Sequence, residues 1–251
     1  MNSTTEVNHE KLMELFGNVF NDVAGSMAIM MSYLGDQTGA YRAMDKLGPA
    51  SAEEIARESN VDERYLLEWL SSNAGRGYVT YHEETNQFSL SPEQAAVFAK
   101  ETEPTCIQGL VQGVVGQFVK EDVAVEVFKT GRGRPWGEHH ECCFCGTERF
   151  FRPAYAGHLL DDWIPAMEGV EAKLKKGAKV ADIGCGLGTS SMLMAEQYPN
   201  STIHAFDFHE PSIEEAKKRA EEKGLNNLEF FVSDAAAIPK ESYDLACIFD
   251  A

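Results

Sequence analysis

The sequence has no uninterrupted apolar run long enough to span a bilayer. Its best candidate, Val23 to Leu34, is broken by Gly25, Ser26 and Ser32 and reads as a buried helix. The first residues, Met1 to Lys11, contain no basic segment leading into an apolar core, so no signal peptide is read and a cytoplasmic protein is expected. Basic charge is scarce: 22 Lys and Arg face 40 Asp and Glu, a net charge of −18. Such a balance repels phosphate backbones and suits small molecules or cationic partners, so neither nucleic acid nor a membrane surface is the expected partner. Cysteine is too thinly used for a disulfide scaffold. Cys106, Cys142, Cys143, Cys145, Cys185 and Cys247, without a secretion signal, read as reduced thiols. Internal repeats and low-complexity tracts are also missing.

What is there divides into three stretches. Residues 1–100 form a helical block ending in a short β element. His9 to Met44 is rich in Met, Leu, Phe and Ala at helical spacing, and Met27, Met30 and Met31 read as helix core. Ser51, with Glu54 three residues on, is a capping box that opens a short helix. A second helix, Asp62 to Asn73, carries Leu66, Leu67, Trp69 and Leu70, and Tyr78 to Tyr81 with Gln87 to Leu90 read as a hairpin. Helix, turn, helix, hairpin is the order of a winged helix. Residues 101–175 read as helical linkage: Gly109 and Gly113 in G-x-x-x-G spacing suggest close helix packing, Gly131 to Gly137 a loop, and Pro153 to Ala166 a helix. From 176 to 251 strands alternate with helices, which predicts a parallel, doubly wound α/β sheet.

The chemistry concentrates at Val180-Ala181-Asp182-Ile183-Gly184-Cys185-Gly186-Leu187-Gly188-Thr189, a strand, a glycine turn and a helix start. A dinucleotide fingerprint needs its last glycine where Thr189 stands. The G-x-G-x-G spacing, with Asp182 just ahead of it, suits instead a ligand without phosphate that carries cationic centres. Asp207 closes the second strand, about 20 residues past the turn, where an acid can accept both ribose hydroxyls. Asp234 follows the third strand and Asp250 the fourth. Ligands of such sheets bind at the carboxyl ends of the strands, so these four acids describe one pocket rim.

Together with Phe206-Asp207-Phe208-His209-Glu210-Pro211-Ser212, Ser233-Asp234-Ala235 and Tyr243 to Ala251, the glycine turn resembles the class I S-adenosylmethionine-dependent methyltransferases. More narrowly, the chain resembles the subgroup with an N-terminal winged helix, some members of which are labelled transcriptional regulators. The resemblance implies S-adenosylmethionine as cofactor. Asp182, Gly184, Cys185, Gly186 and Gly188 would lie around its methionine moiety, Asp207 at the ribose and Phe208 beside the adenine. Asp234 and Ala235 would meet the adenine edge, Asp250 would complete the rim, and Glu148 to Pro153 would lie over the cofactor. It further implies a homodimer formed through the N-terminal domain. The family sheet runs 3-2-1-4-5-7-6, and this sequence supplies 3-2-1-4. A fragment is therefore expected, with the acceptor side and any catalytic base beyond Ala251 and no catalytic residue assigned.

Three functions fit this reading: methyl transfer to a small-molecule acceptor at oxygen, a winged-helix regulator sensing the cofactor, or a non-catalytic cofactor-binding remnant. Between Ser51 and Asn73, Glu53, Glu54, Glu58, Asp62, Glu63 and Glu68 outnumber Arg57 and Arg64, so a recognition helix would meet phosphates with like charge. The run His139 to Cys145 reads as a variable loop with incidental thiols, not a zinc site, because adjacent cysteines point apart. His209 is expected near the cofactor on its adenosine side, and for that reason is not read as a catalytic base.

Overall fold

The computed structural model describes residues 7–238 and 243–249. It divides into two compact units, Met1–Lys100 and Glu101–Ala251. No described helix is long and apolar enough to cross a membrane.

The first unit begins with α1 (His9–Gln37), capped by the Asn8 side chain, followed by α2 (Ala40–Leu47). The capping box forms as read. Ser51 and Glu54 bond each other's backbone N–H at the start of α3 (Ala52–Ser59), and Asn60 ends that helix in the left-handed region, φ 55°. Asp62 caps α4 (Glu63–Gly75), and β1 (Thr80–His82) pairs antiparallel with β2 (Gln87–Ser89) before α5 (Pro92–Phe98). The core is aromatic at its centre: Tyr41 stacks on Phe98 at 4.9 Å and meets the Trp69 edge at 4.8 Å. Tyr41 also donates its hydroxyl hydrogen to Asn73.

α1 departs from the sequence reading. The segment Val23 to Leu34 is not a buried helix: Ala28, Ser32, Gly35 and Asp36 face the core, whereas Val23, Met27, Met30 and Leu34 are exposed. Met31 alone of the three methionines packs against the core. The small residues set this rotation, since a Cβ on Gly35 would stand 2.2 Å from the Trp69 ring. The larger apolar side chains are thereby turned outward.

The second unit opens with α6 (Gln108–Val119), α7 (Glu121–Thr130) and α8 (Glu141–Ala154). Here too the structure corrects the sequence. His139 to Cys145 is not a loop: His140 caps α8, and Cys142, Cys143 and Cys145 lie within the helix. The helix expected from Pro153 therefore begins twelve residues earlier. After Pro153, which has no N–H to give, the chain widens into a π-type segment, Tyr155–Trp163. A short α9 (Val170–Lys176) leads into the sheet.

β3 (Lys179–Ile183), α10 (Thr189–Gln197), β4 (Thr202–Asp207), α11 (Glu210–Glu222), β5 (Leu228–Val232) and β6 (Leu245–Ile248) follow. All four strands are parallel, in the order β5-β4-β3-β6, which is the expected 3-2-1-4. Val180, Met194, Ile203, Ala205, Ile213 and Ala216 are fully buried between sheet and helices. The register sets Ile183 beside Phe206 and Ile248, and Asp207 beside Val232, so the carboxyl ends of the strands come level.

Candidate functional site

A cavity of about 550 Å³ opens at those strand ends. Its floor is Ile183, Gly184, Cys185, Gly186 and Leu187, continuing to Thr189 at the start of α10. The bend is tied to the neighbouring strand because the N–H groups of Gly184 and Cys185 both donate to the Phe206 carbonyl, at 2.8 and 3.0 Å. Gly186 has φ 53°, and a Cβ added there meets no atom within 4 Å, so its backbone faces open space.

Asp207 is held rigidly at the edge of this floor. One carboxylate oxygen accepts from the Gly186 N–H at 2.9 Å and the other from the His209 N–H at 2.8 Å. Each oxygen keeps a lone pair for a ligand hydroxyl. Phe208 lines the cavity and is half exposed. Asp234 caps the turn at Ala235–Ala237 by accepting from the Ala236 N–H at 2.7 Å, and Asp234 and Ala235 both line the cavity.

Two residues named from the sequence do not line it. Asp182 is fully buried behind the wall, where one carboxylate oxygen accepts from the hydroxyls of Ser190 and Ser191 at 2.7 and 2.6 Å and the other has no partner. Burial raises its pKa, against the two hydroxyl bonds and with a further push from the charge of Asp207. Asp182 thus anchors the first turn of α10. Gly188 is turned inward as well: a Cβ there would stand 2.8 Å from the Phe230 ring, so this glycine permits helix–strand packing, not ligand contact. Asp250 lies outside the described residues.

The opposite wall comes largely from residues the sequence reading left out, although Glu148 and Phe151 fall in the Glu148 to Pro153 segment expected over the cofactor. Trp136 precedes α8, and Phe144, Thr147, Glu148 and Phe151 recur along one face of that helix, with Tyr155 just beyond it. Their spacing of three and four is the helical signal that reading His139 to Cys145 as a loop concealed. Glu148 was legible only as part of a segment expected over the cofactor. Phe249 closes the β6 end, its ring 5.2 Å from that of Tyr155. His209 packs on Phe144 at 4.7 Å and does not line the cavity.

Glu148 is the polar centre of this wall. Its carboxylate accepts from Arg152 Nε at 2.8 Å, from a second Arg152 nitrogen and from the Thr189 hydroxyl at 2.8 Å, with Arg219 3.9 Å away. Burial pushes its pKa up, but the bonds from Arg152 and Thr189 and the charges of both arginines outweigh that and hold it below the ordinary glutamate value. The lining thus offers three carboxylates, Glu148, Asp207 and Asp234, and none of its described residues is Lys, Arg or His. None of the six cysteines is joined in a disulfide. Among the described residues no group of three or more His, Cys, Asp or Glu is placed to hold a metal ion.

Residues 174–251 match the family described as "Methyltransferase domain", and residues 25–100 match the "Rv2258c-like winged HTH domain". The chain carries a methyltransferase domain behind a winged-helix domain. Aklanonic acid methyltransferase DauC of Streptomyces sp. (strain C5) is 40% identical over 72 residues, which are 28% of this chain and 33% of that protein. The match therefore spans about a third of that relative's length. Among solved structures, mitomycin 7-O-methyltransferase MmcR superposes with a TM-score of 0.63 at 14% identity, covering 95% of this chain and 71% of that one. Human N-acetylserotonin methyltransferase, solved in complex with S-adenosylmethionine, gives 0.60 at 13% identity over 97% and 71%. At such identities these likenesses show the fold alone.

Proposed function

We propose that the cavity binds S-adenosylmethionine and that the protein transfers its methyl group to an oxygen of a small-molecule acceptor. The observation that carries this reading is the cavity lining: three carboxylates without a cation around a glycine bend that leaves room for a ligand's backbone-hugging portion. That donor set fits an adenosine compound bearing positive charge and does not fit a phosphate. The structure of N-acetylserotonin methyltransferase with this cofactor, and the name of the 7-O-methyltransferase of like fold, support the choice of ligand and of oxygen.

When bound, S-adenosylmethionine supplies an activated methyl group for in-line displacement by a nucleophile. The residues around it hold and enclose. Asp207, fixed by two backbone donors, accepts from the ribose hydroxyls. Asp234 and Ala235 meet the adenine edge, with Phe208 beside the ring, and Gly184, Cys185 and Gly186 pass along the methionine portion. Trp136, Phe144, Phe151 and Tyr155 exclude water from the far side. No catalytic base is assigned, so rate acceleration is ascribed to positioning and to a preformed polar site.

We further propose that residues 1–100 dimerise the chain, residues 101–175 cover the cofactor and residues 176–251 hold it. The stripe Leu12, Phe16, Val19, Phe20, Val23 and Met27 along α1 is exposed and apolar at helical spacing, which suits the same face of a second copy. A nucleic-acid partner is disfavoured by the net charge of −18.

Titration calorimetry with S-adenosylhomocysteine tests the reading. Saturable binding is expected; a demonstrably folded protein giving no heat at about 1 mM ligand refutes it.

A further inference from the structure

We propose that Glu148 reads the amino-acid end of the ligand, its carboxylate accepting a hydrogen bond from the α-ammonium of the bound adenosyl amino acid. This rests on the reading that the cavity takes S-adenosylmethionine.

The ligand's direction follows from the floor. With ribose at the end of β4 and adenine at the end of β5, the remaining portion must run over Gly184 and Gly186 at the end of β3, toward the first turn of α10. Thr189 begins that turn, and its hydroxyl is bonded to Glu148. Glu148 therefore stands over the place where the amino-acid group arrives, reaching it from α8 and not from the sheet.

Three of the carboxylate's roughly four acceptor positions are filled, two by Arg152 and one by Thr189, which leaves one for a single N–H donor. Those same bonds fix the group in place before a ligand enters, and its side chain is only 10% exposed, so an incoming ammonium meets a partly desolvated, oriented anion. The other acid that the sequence placed at this end, Asp182, is fully buried behind the wall: one oxygen accepts from Ser190 and Ser191, and the other, though without a partner, does not line the cavity. Asp207 and Asp234 stand at the other two strand ends. Glu148 is thus the carboxylate left for the ammonium.

Two ligands separate this role from a merely structural one. S-adenosylhomocysteine carries the amino-acid end, and 5′-methylthioadenosine lacks it. The variant is Glu148→Gln, which keeps shape and removes charge. Calorimetry should show its affinity for S-adenosylhomocysteine reduced roughly 10- to 100-fold, the loss expected for a hydrogen bond to a charged group, with affinity for 5′-methylthioadenosine unchanged. Equal losses for both ligands would mean that Glu148 only ties α8 to α10, and would overturn the proposal; so would no loss for either. If wild-type protein binds neither ligand, it is the cofactor reading that falls. Should Glu148→Gln not fold, the wild type still decides. S-adenosylhomocysteine lacking only its α-amino group should bind at least about tenfold more weakly, and equal affinity overturns the assignment.

Discussion

Gly186 and Gly188 look alike in the sequence, two residues apart in one motif, yet alanine at each should damage a different property. Both have positive φ, 53° and 76°, so an alanine at either carries about 1–2 kcal/mol of backbone strain. At Gly188 the new Cβ would also lie 2.8 and 2.9 Å from two atoms of the Phe230 ring and 3.2 Å from the Ala216 Cβ. Both neighbours are buried in the sheet–helix core, and overpacking of that kind adds about 1–3 kcal/mol. Gly188→Ala should therefore destabilise by about 2–5 kcal/mol, and in a unit of this size that lowers Tm by about 4–20 °C. At Gly186 the Cβ meets nothing within 4 Å, so only the strain applies and Tm should fall by about 2–8 °C. The space it enters is the cavity floor, so affinity for S-adenosylhomocysteine should drop at least about tenfold, the effect of one displaced close contact. Thermal melts and calorimetry on both variants check the pair. If Gly188→Ala melts no lower than Gly186→Ala, or if Gly186→Ala binds as tightly as wild type, the division of the motif into a packing glycine and a ligand glycine is wrong.

Asp207→Asn replaces one of two oxygens that face backbone N–H groups with an amide nitrogen, which cannot accept, so affinity should fall about 10- to 100-fold for S-adenosylhomocysteine and 5′-methylthioadenosine alike, measured by calorimetry. The Cys247 thiol is pushed up to about 12 by burial and by the charge of Asp182. Because the folded value exceeds the unfolded one of about 8.5, its contribution is intact below pH 8.5 and is lost as pH rises toward 12. Cys247→Ala should flatten that alkaline decline in denaturant midpoints, and an unchanged slope would contradict the burial argument. Phe20→Glu places charge in the middle of the exposed α1 stripe without touching the core, so light scattering should show a monomer where wild type is a dimer, with Tm unaffected by core loss. A monomeric wild type would refute the interface.

The sheet was legible because its signals are local. Val180 to Ile183, Thr202 to Asp207 and Leu228 to Val232 are short, largely apolar runs, and their alternation with helices marks them as parallel, while their order came with the family resemblance. Asp207 and Asp234 could be placed because a residue at the end of a parallel strand has few places to point. Asp182 reads the same way in sequence, but its position one residue before the end of β3 turns it into the interior, where Ser190 and Ser191 take it up. Whether a strand-end acid faces ligand or core depends on one residue of register, and composition carries no trace of that. α1 misled for a related reason. A helix with apolar residues on both faces announces burial, but not by what, and here the small face took the protein core.

The covering wall was the least legible part, and the cause is a motif that the sequence does show. Gly109 and Gly113 of α6 meet Gly146 of α8 backbone to backbone. A Cβ on Gly146 would stand 2.5 Å from the Gly113 nitrogen and 2.6 Å from the Gly109 oxygen, and one on Gly109 would stand 2.4 Å from the Phe150 nitrogen. Those neighbours are main-chain atoms and cannot yield, so the two helices have one rotation at which they fit. That rotation puts Cys143 against Gly116 and leaves Phe144, Thr147, Glu148 and Phe151 facing the strand ends. The glycine spacing could be read as close packing; the partner helix could not, because two histidines lead into it and its first turns hold three cysteines, residues that suggest a loop or a metal and carry little helical signal. The side chains that enclose the site are thus aimed by a contact on the far side of their own helix, which is why a motif with no chemistry of its own decides where Glu148 stands.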